Sequence, residues 1–409
     1  MIKEKYINRV KEISLNVVQT EVESVRKKDI LKTGLRVYDK GYIGIAGGLG
    51  RVDEEELERR AIDNLSLKVP YPYNPSKELK KEVDYREDVL SDEDFVNEID
   101  ELLNILKDEF PDFTFSNKIN ITEVETRLVN SMGLDLGYKD RLVLGQLIIK
   151  EKASANVFDA LALYIERQYR RELFLNIIRE TLEAYRNPVK LPKEGKLPVI
   201  FMNYDITPVS KLIDELNGYK VGTGASLFKD FMGKMKFNEN FTFYQSAERE
   251  DLLDAQFFDA EGVVNEGFKY ALIENGRIVS PYTDKKTAHK FNLPLTGSAS
   301  GEYDKVPSLS PRNYKIEASD KTLKELLNGQ LAVAVVIASG GDFTADGVFG
   351  TPVQLAFLSD GERLIGRLPE LKLSGELYSM FGEDFIGKSK DKSFLGQNAL
   401  AINLDVKYL

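Results

Sequence analysis

The sequence contains no cysteine and no tryptophan, and it has a single histidine, His289. Without a thiol, the chain can form no disulfide framework, no cysteine-ligated zinc or iron–sulfur site and no thiol nucleophile. With one imidazole, it also lacks every motif that needs two histidines, including the His-Glu-x-x-His of many zinc proteases. A Ser-His-Asp triad would have to be built on His289.

The overall charge is acidic. The 409 residues include 56 basic and 66 acidic side chains, a formal net charge of −10. This length predicts about two or three domains. An acidic chain repels phosphate unless it carries a local basic patch, and here the Lys and Arg residues are interleaved with acids. We therefore expect no direct nucleic-acid partner and no anionic membrane surface as a partner.

No targeting or membrane segment is visible in the sequence. Residues 1–15 are charged and follow a helical pattern, without the apolar core of a signal peptide. The longest apolar run, Leu331–Ala338, is far too short to cross a bilayer. The expected location is the cytoplasm.

A proline-rich segment divides the chain. Residues 187–198 contain three prolines and mixed charges, which is typical of a linker between domains. A helix is predicted before it, over 157–186, because apolar residues recur there at helical spacing. The predicted organisation is an N-terminal domain over 1–187, a linker over 188–198 and a C-terminal domain over 199–409.

The predicted fold class is α+β. The N-terminal domain should combine an antiparallel sheet with helices: a hairpin turns at 39–41, Asp53 opens a helix, Ser91 caps a second helix to Phe110, and 113–150 alternates like strands. The C-terminal domain should be β-rich, with a hairpin at Asn275-Gly276. Its predicted strands are Leu197–Met202, Phe241–Gln245, Lys269–Glu274, Ala332–Ala338 and Gln354–Leu358.

Two glycine-rich segments resemble phosphate-binding loops only weakly. Gly222-Thr223-Gly224-Ala225-Ser226 lacks the Gly-Lys-Ser/Thr end of the Walker pattern, so a turn at the entry of a helix is the favoured interpretation. Residues 46–50, Ala-Gly-Gly-Leu-Gly, have no acidic residue placed to hold a ribose. A flexible connection is favoured there.

The sequence offers few other catalytic patterns. Ser226-x-x-Lys229 matches the Ser-x-x-Lys of penicillin-recognising hydrolases, but Ser389-x-x-Lys392 matches it equally and the partner motifs are absent. His289 lies in a polar run typical of an exposed helix. The acid pairs Asp259/Glu261 and Asp342/Asp346 could bind a hard cation. Each pair lies beside a glycine, which favours turns.

Several segments, taken in their order along the chain, resemble the TldD/PmbA family, peptidase-related proteins that carry the old label of modulators of DNA gyrase. They are Thr33–Val37, Gly44–Ala46, Leu128–Leu134, Phe258–Val263, Leu272–Gly276, Thr296–Ala299, Gly341–Thr344 and Gly396–Ile402. The resemblance implies an N-terminal α+β domain, a β-rich C-terminal domain, and dimers that enclose a cavity accessible to peptides.

The catalytic branch of this family resembles a zinc protease that uses His-Glu-x-x-x-His on a helix and a later cysteine. Here no histidine lies between Leu197 and Phe257, where that helix is expected, and Tyr219–Lys234 takes its place. Ile386–Lys388 matches the region of the missing cysteine. The sequence therefore predicts no catalytic residue, no metal ligand and no cofactor.

The missing ligands match the PmbA (TldE) branch. We predict a pseudoenzyme: the non-catalytic subunit of a metalloprotease that acts on unfolded peptides, as a homodimer or a heterodimer with a zinc-bearing TldD-like subunit. The predicted peptide groove comprises six residues, by analogy with the segments around the metal in the catalytic branch. They are Gly222, Thr223, Gly224, Ser226, Asp342 and Phe343.

Two alternatives remain open from the sequence. One is a stand-alone homodimeric peptide-binding protein. The other is a metal-independent hydrolase that uses Ser226 and Lys229.

Overall fold

The structure, a computed structural model, describes residues 1–88, 90–202, 207–392 and 396–409. The N-terminal half forms one large sheet of eight strands with the order β4-β3-β2-β1-β6-β7-β5, in which β8 also pairs with β7. The strands are β1 Ile2–Val18, β2 Glu21–Asp39, β3 Tyr42–Leu49, β4 Val69–Pro70, β5 Lys80–Asp84, β6 Phe113–Asn130, β7 Asp135–Glu151 and β8 Ala160–Glu166. The helices are α1 Glu54–Asp63, α2 Asp92–Glu109 and α3 Arg171–Tyr185.

Local signals placed the first two helices and the first hairpin correctly. The Asp53 side chain accepts the N–H groups of Glu55 and Glu56 at the start of α1. The Ser91 side chain caps α2 by accepting the N–H of Asp94. β2 and β3 form a hairpin that turns at residues 40–41. The strand pairs of this sheet are antiparallel, apart from β5 with β7, which is parallel. The predicted antiparallel sheet with helices is confirmed.

Two predicted helices are wrong. Residues 2–18 form β1, whose Ile13, Leu15 and Val17 are buried at the period of two that a strand requires. The first part of the helix predicted over 157–186 is β8, which pairs with β7, and α3 begins only at Arg171. In β1 charged residues at a helical spacing concealed the alternation, and in both segments pairing with long neighbouring strands decided the conformation.

The C-terminal half contains the remaining strands and short helices. The strands are β9 Gly195–Met202, β10 Phe243–Ser246, β11 Lys269–Glu274, β12 Arg277–Ile278, β13 Ala299–Ser300, β14 Ser308–Leu309, β15 Tyr314–Ile316, β16 Ala332–Ala338, β17 Asp342–Phe343, β18 Val348–Ser359, β19 Leu364–Arg367, β20 Leu371–Glu376, β21 Phe385–Lys388 and β22 Ala399–Tyr408. The helices are α4 Ser210–Glu215, α5 Gly218–Gly222, α6 Lys285–Phe291, α7 Leu323–Leu327 and α8 Leu377–Met380. Three-residue or four-residue 3₁₀ turns lie at Asn64–Leu67, Thr207–Val209 and Glu266–Phe268.

Five of these strands close into a ring. The order is β16-β9-β22-β20-β18, and β18 pairs back with β16. Alternate side chains of β9 enter different cores: Ile200 packs in the cluster that contains Phe174 and Ile178 of α3, whereas Val199 and Phe201 pack in a second cluster. The ring thus joins the first core, which both halves share, to a second core of the C-terminal half. The β-rich character predicted for this half is confirmed.

The segment predicted as a linker is partly structured. Its last four residues, 195–198, begin β9. Before them, the N–H of Val189 donates to the carbonyl of Arg367 at 2.8 Å, and Leu191 is buried. The predicted domain boundaries stay a prediction.

No helix in the described ranges is both long enough and apolar enough to cross a membrane.

Candidate functional site

The first predicted groove segment follows a very short helix. Asn217 caps α5 by accepting the N–H groups of Tyr219 and Lys220, and the helix ends at Gly222. Gly222, Thr223 and Gly224 are exposed. The turn predicted at the entry of a helix is therefore at its exit, because the Asn217 cap starts the helix four residues earlier than the glycines.

Ser226 is buried and engaged with the backbone. Its hydroxyl donates to the carbonyl of Glu215 at 2.6 Å and accepts the N–H of Phe228 at 2.9 Å. Lys229 is exposed, and in the described residues it meets Ser226 through the backbone, where its N–H donates to the Ser226 carbonyl at 3.3 Å, and not through a bond between the side chains. The arrangement is that of a structural tie between α4 and the segment after α5, not that of an activated nucleophile with its base.

The second predicted groove segment is the edge strand β17. Asp342 is exposed and Phe343 packs its ring on Phe349 of β18, with 4.8 Å between ring centroids. The turn that joins β17 to β18 contains Gly347, and the Leu227 side chain lies beside it. Leu227, the residue after Ser226, and Gly347, in the turn after β17, therefore lie side by side.

A buried carboxylate that the sequence analysis missed lies beside the first of these segments. Glu215, the last residue of α4, has only 2% of its surface exposed. The ammonium groups of Lys211 and Lys220 lie 2.9 and 3.0 Å from its Oε1 atom. The N–H of Leu227 donates to Oε2 at 2.6 Å. Each carboxylate oxygen therefore has a strong donor.

Asp214 extends this cluster toward solvent. Its Oδ2 atom lies 2.7 Å from the Lys220 ammonium and 3.7 Å from that of Lys211. We call Lys211, Asp214, Glu215 and Lys220 the Glu215 site. Two positive and two negative charges balance within it. Asp346, in the turn between β17 and β18, is exposed; a hydrogen bond from the Thr344 hydroxyl lowers its pKa, with a smaller contribution from Lys211.

The balance of charges determines the ionisation of Glu215. Burial opposes the charged form, but the Leu227 N–H and the two ammonium groups outweigh it and hold the pKa of Glu215 below its usual value. The pKa of Lys220 is raised: burial opposes this, and the bonds to Asp214 and Glu215 outweigh it. The carboxylate is therefore charged and saturated with donors.

One sequence signal could have revealed this site. Residues 214–219, Asp-Glu-Leu-Asn-Gly-Tyr, keep the spacing of His-Glu-x-x-x-His with its glutamate retained and both histidines replaced. This stretch begins five residues before Tyr219–Lys234, the stretch expected to replace the motif. The signal is weak in sequence because Asp and Tyr are ordinary residues at the end of a short helix, and only burial distinguishes Glu215.

The residues present do not fit a zinc ion. Zinc prefers imidazole and thiolate ligands, and the only imidazole of the chain, His289, lies on α6. Within the described ranges, no group of three or more His, Cys, Asp or Glu side chains is arranged to hold a metal ion. At Glu215, two ammonium groups occupy the carboxylate oxygen that a metal would need. We derive no chemical step through a metal.

Lys388 lies in the region matched to the missing family cysteine. It ends β21 and has 3% of its surface exposed. Burial, with a smaller contribution from Lys315, lowers the pKa of Lys388 to about 7, and Asp251 opposes the shift. A buried amine, not a metal ligand, therefore stands at this position.

A second buried charge cluster joins the two halves of the chain. Arg36 of β2 is fully buried, and its Nη1 atom donates to the carbonyl of Ala260 at 2.5 Å and to Glu4 at 3.2 Å. The Tyr38 hydroxyl also donates to Glu4, at 2.9 Å. Glu4 and Arg36 therefore hold the segment around Ala260 against the N-terminal sheet.

Glu261 extends this cluster. Its Oε1 atom accepts the Tyr71 hydroxyl at 2.6 Å, and its Oε2 atom accepts the N–H of Lys285 at 2.8 Å. Burial and the nearby Asp259 carboxylate raise the pKa of Glu261 to about 7, against the opposing effect of Tyr71 and Lys285. We call Glu4, Arg36, Tyr71, Glu261 and Lys285 the Arg36–Glu261 cluster.

The acid pairs considered as cation sites are engaged in turns. Asp259 accepts the N–H groups of Glu261 and Val263 through Oδ1 and that of Ala299 through Oδ2. Asp342 accepts the N–H of its neighbour Phe343. These contacts are those of turn residues.

Two glycines make the contact between the halves possible. Gly34 and Gly47 are partners in β2 and β3. A Cβ atom on Gly34 would lie 1.8 Å from the carbonyl oxygen of Tyr303, and one on Gly47 would lie 2.6 Å from side-chain atoms of Tyr303 and Asp304. The chain between β13 and β14 therefore rests directly on the sheet. Residues 46–49, most of the segment expected as a flexible connection, instead belong to strand β3.

His289 lies on the exposed side of α6, as predicted from its polar surroundings. Its ring meets Tyr73 edge-on, with centroids 5.5 Å apart, and Tyr73 in turn packs against Tyr71.

With this geometry described, comparisons with known proteins become informative. A family model described as the PmbA/TldA metallopeptidase C-terminal domain matches residues 194–400. The chain is 28% identical over 231 residues to the metalloprotease MJ0996 of Methanocaldococcus jannaschii, a match that covers 53% of this chain and only 50% of that protein. It is 21% identical over 387 residues to the uncharacterized protein MJ0231 of the same organism, covering 91% and 88% of the two chains.

Among solved structures, TldE from Thermococcus kodakarensis is similar over nearly the whole length. The TM-score is 0.77 at 18% sequence identity, and the match covers 99% of this chain and 96% of that one. At this identity the similarity establishes the fold, which is the α+β architecture expected from the sequence.

Proposed function

From the premise that this chain belongs to the TldD/PmbA family, we propose that it is a non-catalytic, TldE-like subunit of a metalloprotease that acts on unfolded peptides. Its partner would be a homologous subunit that carries the zinc-binding His-Glu-x-x-x-His motif. The role proposed for this chain is to complete the peptide cavity and to bind substrate.

The observation that carries this proposal is the state of Glu215. A metalloprotease glutamate acts as a general base on a metal-bound water, which requires a free carboxylate beside a metal. Here the retained glutamate accepts two ammonium groups and a backbone N–H. The chain has no second histidine and no cysteine to replace the missing ligands. A catalytic role for this site has no chemical basis in these residues.

Peptide binding by strand addition is supported by the position of β17. This strand ends the order of its sheet and pairs with β18 in the described residues. An extended peptide can add to such an edge through its main-chain hydrogen bonds. Asp342 and Phe343 on this edge lie next to the segment after α5, and we propose that the peptide lies along them.

The subunit assignment is tested by reconstitution. The purified chain is mixed with a homologue that carries His-Glu-x-x-x-His, and the complex is analysed by size-exclusion chromatography with light scattering. Cleavage of a labelled unstructured peptide is then measured. We expect a heterodimer whose cleavage stops with a chelator, and no cleavage by this chain alone.

A substitution at the edge strand tests the groove. Asp342→Lys reverses an exposed charge on β17, and we expect it to raise the KM of the heterodimer for the peptide without lowering kcat. Asp320→Lys, the same change at an exposed position outside the proposed groove, is the matched control. Equal effects of both variants would contradict the placement of the groove.

The other readings give different outcomes in the same experiments. A stand-alone homodimer that binds the peptide without any partner supports the homodimeric peptide-binding protein. Chelator-resistant cleavage by this chain, lost in Ser226→Ala, supports the metal-independent hydrolase, although Ser226 is already bonded to Glu215. Zinc retained stoichiometrically after dialysis would refute the non-catalytic assignment. The cytoplasmic location and the lack of a nucleic-acid partner stay predictions.

A further inference from the structure

The Glu215 site is a closed ring of ion pairs at the place where a metallopeptidase domain would need a cation. Oε1 of Glu215 and Oδ2 of Asp214 are both within 4 Å of both lysine nitrogens, at distances of 2.7 to 3.7 Å. Of the two lysines, Lys220 bridges the two carboxylates more evenly, at 2.7 Å from one and 3.0 Å from the other. A cation that bridges two carboxylate oxygens is the arrangement that a divalent ion would have.

We propose that the Lys220 ammonium, assisted by Lys211, is an internal cation that takes the place of a divalent metal ion and excludes it from Asp214 and Glu215. This inference rests on the proposed function, because it explains how a metallopeptidase domain keeps a buried glutamate without a metal. On this proposal, the chain binds no metal at this site for two reasons: it lacks the histidine ligands, and its own lysines occupy the carboxylates.

The burial of Lys211 and Glu215 argues for this role over an ordinary surface ion pair. Their side chains are exposed by only 10% and 2%, that of Lys220 by 29%, and that of Asp214, on the solvent side of the ring, by 53%. A buried carboxylate needs a compensating positive charge, since its desolvation is costly. Removing the ammonium groups would leave Asp214 and Glu215 as uncompensated oxygen ligands, which suit hard divalent cations.

The four residues of the ring are close together in the sequence, so that one short segment of the chain forms the whole site. Lys211 and Glu215 are four residues apart on α4, and Lys220 returns from α5 after the Asn217 cap. Ser226 and Leu227 hold Glu215 from the segment after α5: the Ser226 hydroxyl donates to its backbone carbonyl, and the Leu227 N–H donates to its Oε2 atom. The site therefore does not depend on a second subunit, and it can be tested on the isolated chain.

The experiment replaces the lysines by glutamine and measures the binding of Mn²⁺. Wild type, Lys220→Gln and the double variant Lys211→Gln/Lys220→Gln are titrated calorimetrically with Mn²⁺ at pH 7, and their thermal midpoints are recorded with and without the ion. We expect affinity to rise in that order, by at least about tenfold from wild type to the double variant. We also expect Mn²⁺ to raise the midpoint of the double variant by about 3 °C, with no effect on wild type.

Two controls assign the effect to the ring. Lys229→Gln removes an exposed lysine from the same segment and should leave Mn²⁺ binding at the wild-type level. Adding Glu215→Gln to the double variant removes the buried ligand and should abolish the gained binding. Persistence of the gain without Glu215 would overturn the proposal.

The remaining outcomes are also decisive. The proposal is overturned if wild type binds Mn²⁺ as tightly as the double variant does. It is also overturned if neither protein binds Mn²⁺. If the double variant unfolds, refolding is compared with and without Mn²⁺: recovery only with the ion supports an internal cation, and equal yields contradict it. The two proposals can fail separately. If the chain forms no heterodimer but the lysine variants gain Mn²⁺ binding as expected, the proposed subunit function is contradicted and the internal cation is supported.

Discussion

Two buried glutamates of this chain, Glu215 and Glu261, are nearly equal in exposure, at 2% and 3%, but their pKa values are shifted in opposite directions. At the Glu215 site, donors surround the carboxylate and its pKa lies below the usual value. In the Arg36–Glu261 cluster, burial and Asp259 raise the pKa of Glu261. Burial disfavours the charged form of both, so the neighbours decide the sign of the shift.

The comparison teaches what each region is suited to do. A carboxylate that stays charged and fully paired holds the end of α4 and the segment after α5 in one arrangement. A carboxylate that titrates near neutrality, between the two halves of the chain, makes their contact sensitive to pH. The first region lies at the proposed groove, and the second lies where the N-terminal sheet meets the segment around Ala260.

The largest effect on stability is expected from a substitution that disrupts the contact between the two halves of the chain. Gly34→Ala places a methyl group 1.8 Å from the carbonyl oxygen of Tyr303, and backbone cannot yield by a rotamer change. We expect a loss of at least about 3 kcal/mol in the free energy of unfolding, measured by chemical denaturation. Gly350→Ala, where the nearest atom would be 4.0 Å away, is the matched control. Equal stability of both variants would show that the halves do not pack as described.

Next in size is the removal of the charge from the first region. Glu215→Gln leaves the ammonium groups of Lys211 and Lys220 without their buried partner, and we expect a loss of about 2 kcal/mol at neutral pH. Because the folded pKa of Glu215 is lowered, its contribution is present above the unfolded pKa and disappears as the pH falls through the folded value. Urea unfolding at several pH values should show the difference from wild type shrinking toward acid.

The exposed Glu239 provides the control for that variant, since Glu239→Gln removes the same charge without a buried site. A cost of Glu215→Gln that grows toward acid would contradict the assigned direction of the shift.

A smaller effect of opposite sign is expected at Glu261. Its folded pKa is raised to about 7, so the folded state binds more protons than the unfolded state and stability falls as the pH rises toward 7. Glu261→Gln should remove this component, on the order of 1 kcal/mol between pH 5 and 7 after allowance for its coupling to Asp259. The measurement is the pH dependence of unfolding of wild type and variant, with the exposed Glu266→Gln as control.

An unchanged pH dependence in Glu261→Gln would mean that Asp259 or Lys285 carries the titration in the cluster.

The smallest expected effect tests whether His289 belongs to that cluster. His289 is exposed, and its ring meets that of Tyr73 edge-on. His289→Ala should change stability by less than about 0.5 kcal/mol and should leave the pH dependence near neutrality intact. A loss of that dependence would assign it to the imidazole and remove the contrast between the two glutamates.

Local chemistry explains what could be predicted about the fold. Asp53 and Ser91 cap helices, and Asn275-Gly276 turns a hairpin, because these residues satisfy backbone requirements within a few positions. The N-terminal strand β1 escaped prediction because its charges follow a helical spacing, while its conformation depends on pairing with β2 and β6. Strand pairing is non-local and overrides such local preference.

The candidate site divides in the same way. The predicted residues Gly222, Thr223, Gly224, Ser226, Asp342 and Phe343 came from resemblance and stay a prediction; the structure places Leu227, next to Ser226, beside Gly347 of the turn after β17. Glu215 was missed because nothing in its sequence neighbourhood shows that it is buried. Two lysines within five residues of a glutamate are common on any surface helix.

Composition alone therefore determined what this protein does not have: with one histidine and no cysteine, it cannot assemble the zinc ligands of its family's catalytic branch. Composition is independent of folding, so this exclusion required no structure. Only the tertiary structure decided that Glu215 is buried between Lys211 and Lys220, and that Glu261 lies beside Asp259 and beneath the N-terminal sheet. Desolvation and the distances between charges set these properties, and both exist only once the chain has folded.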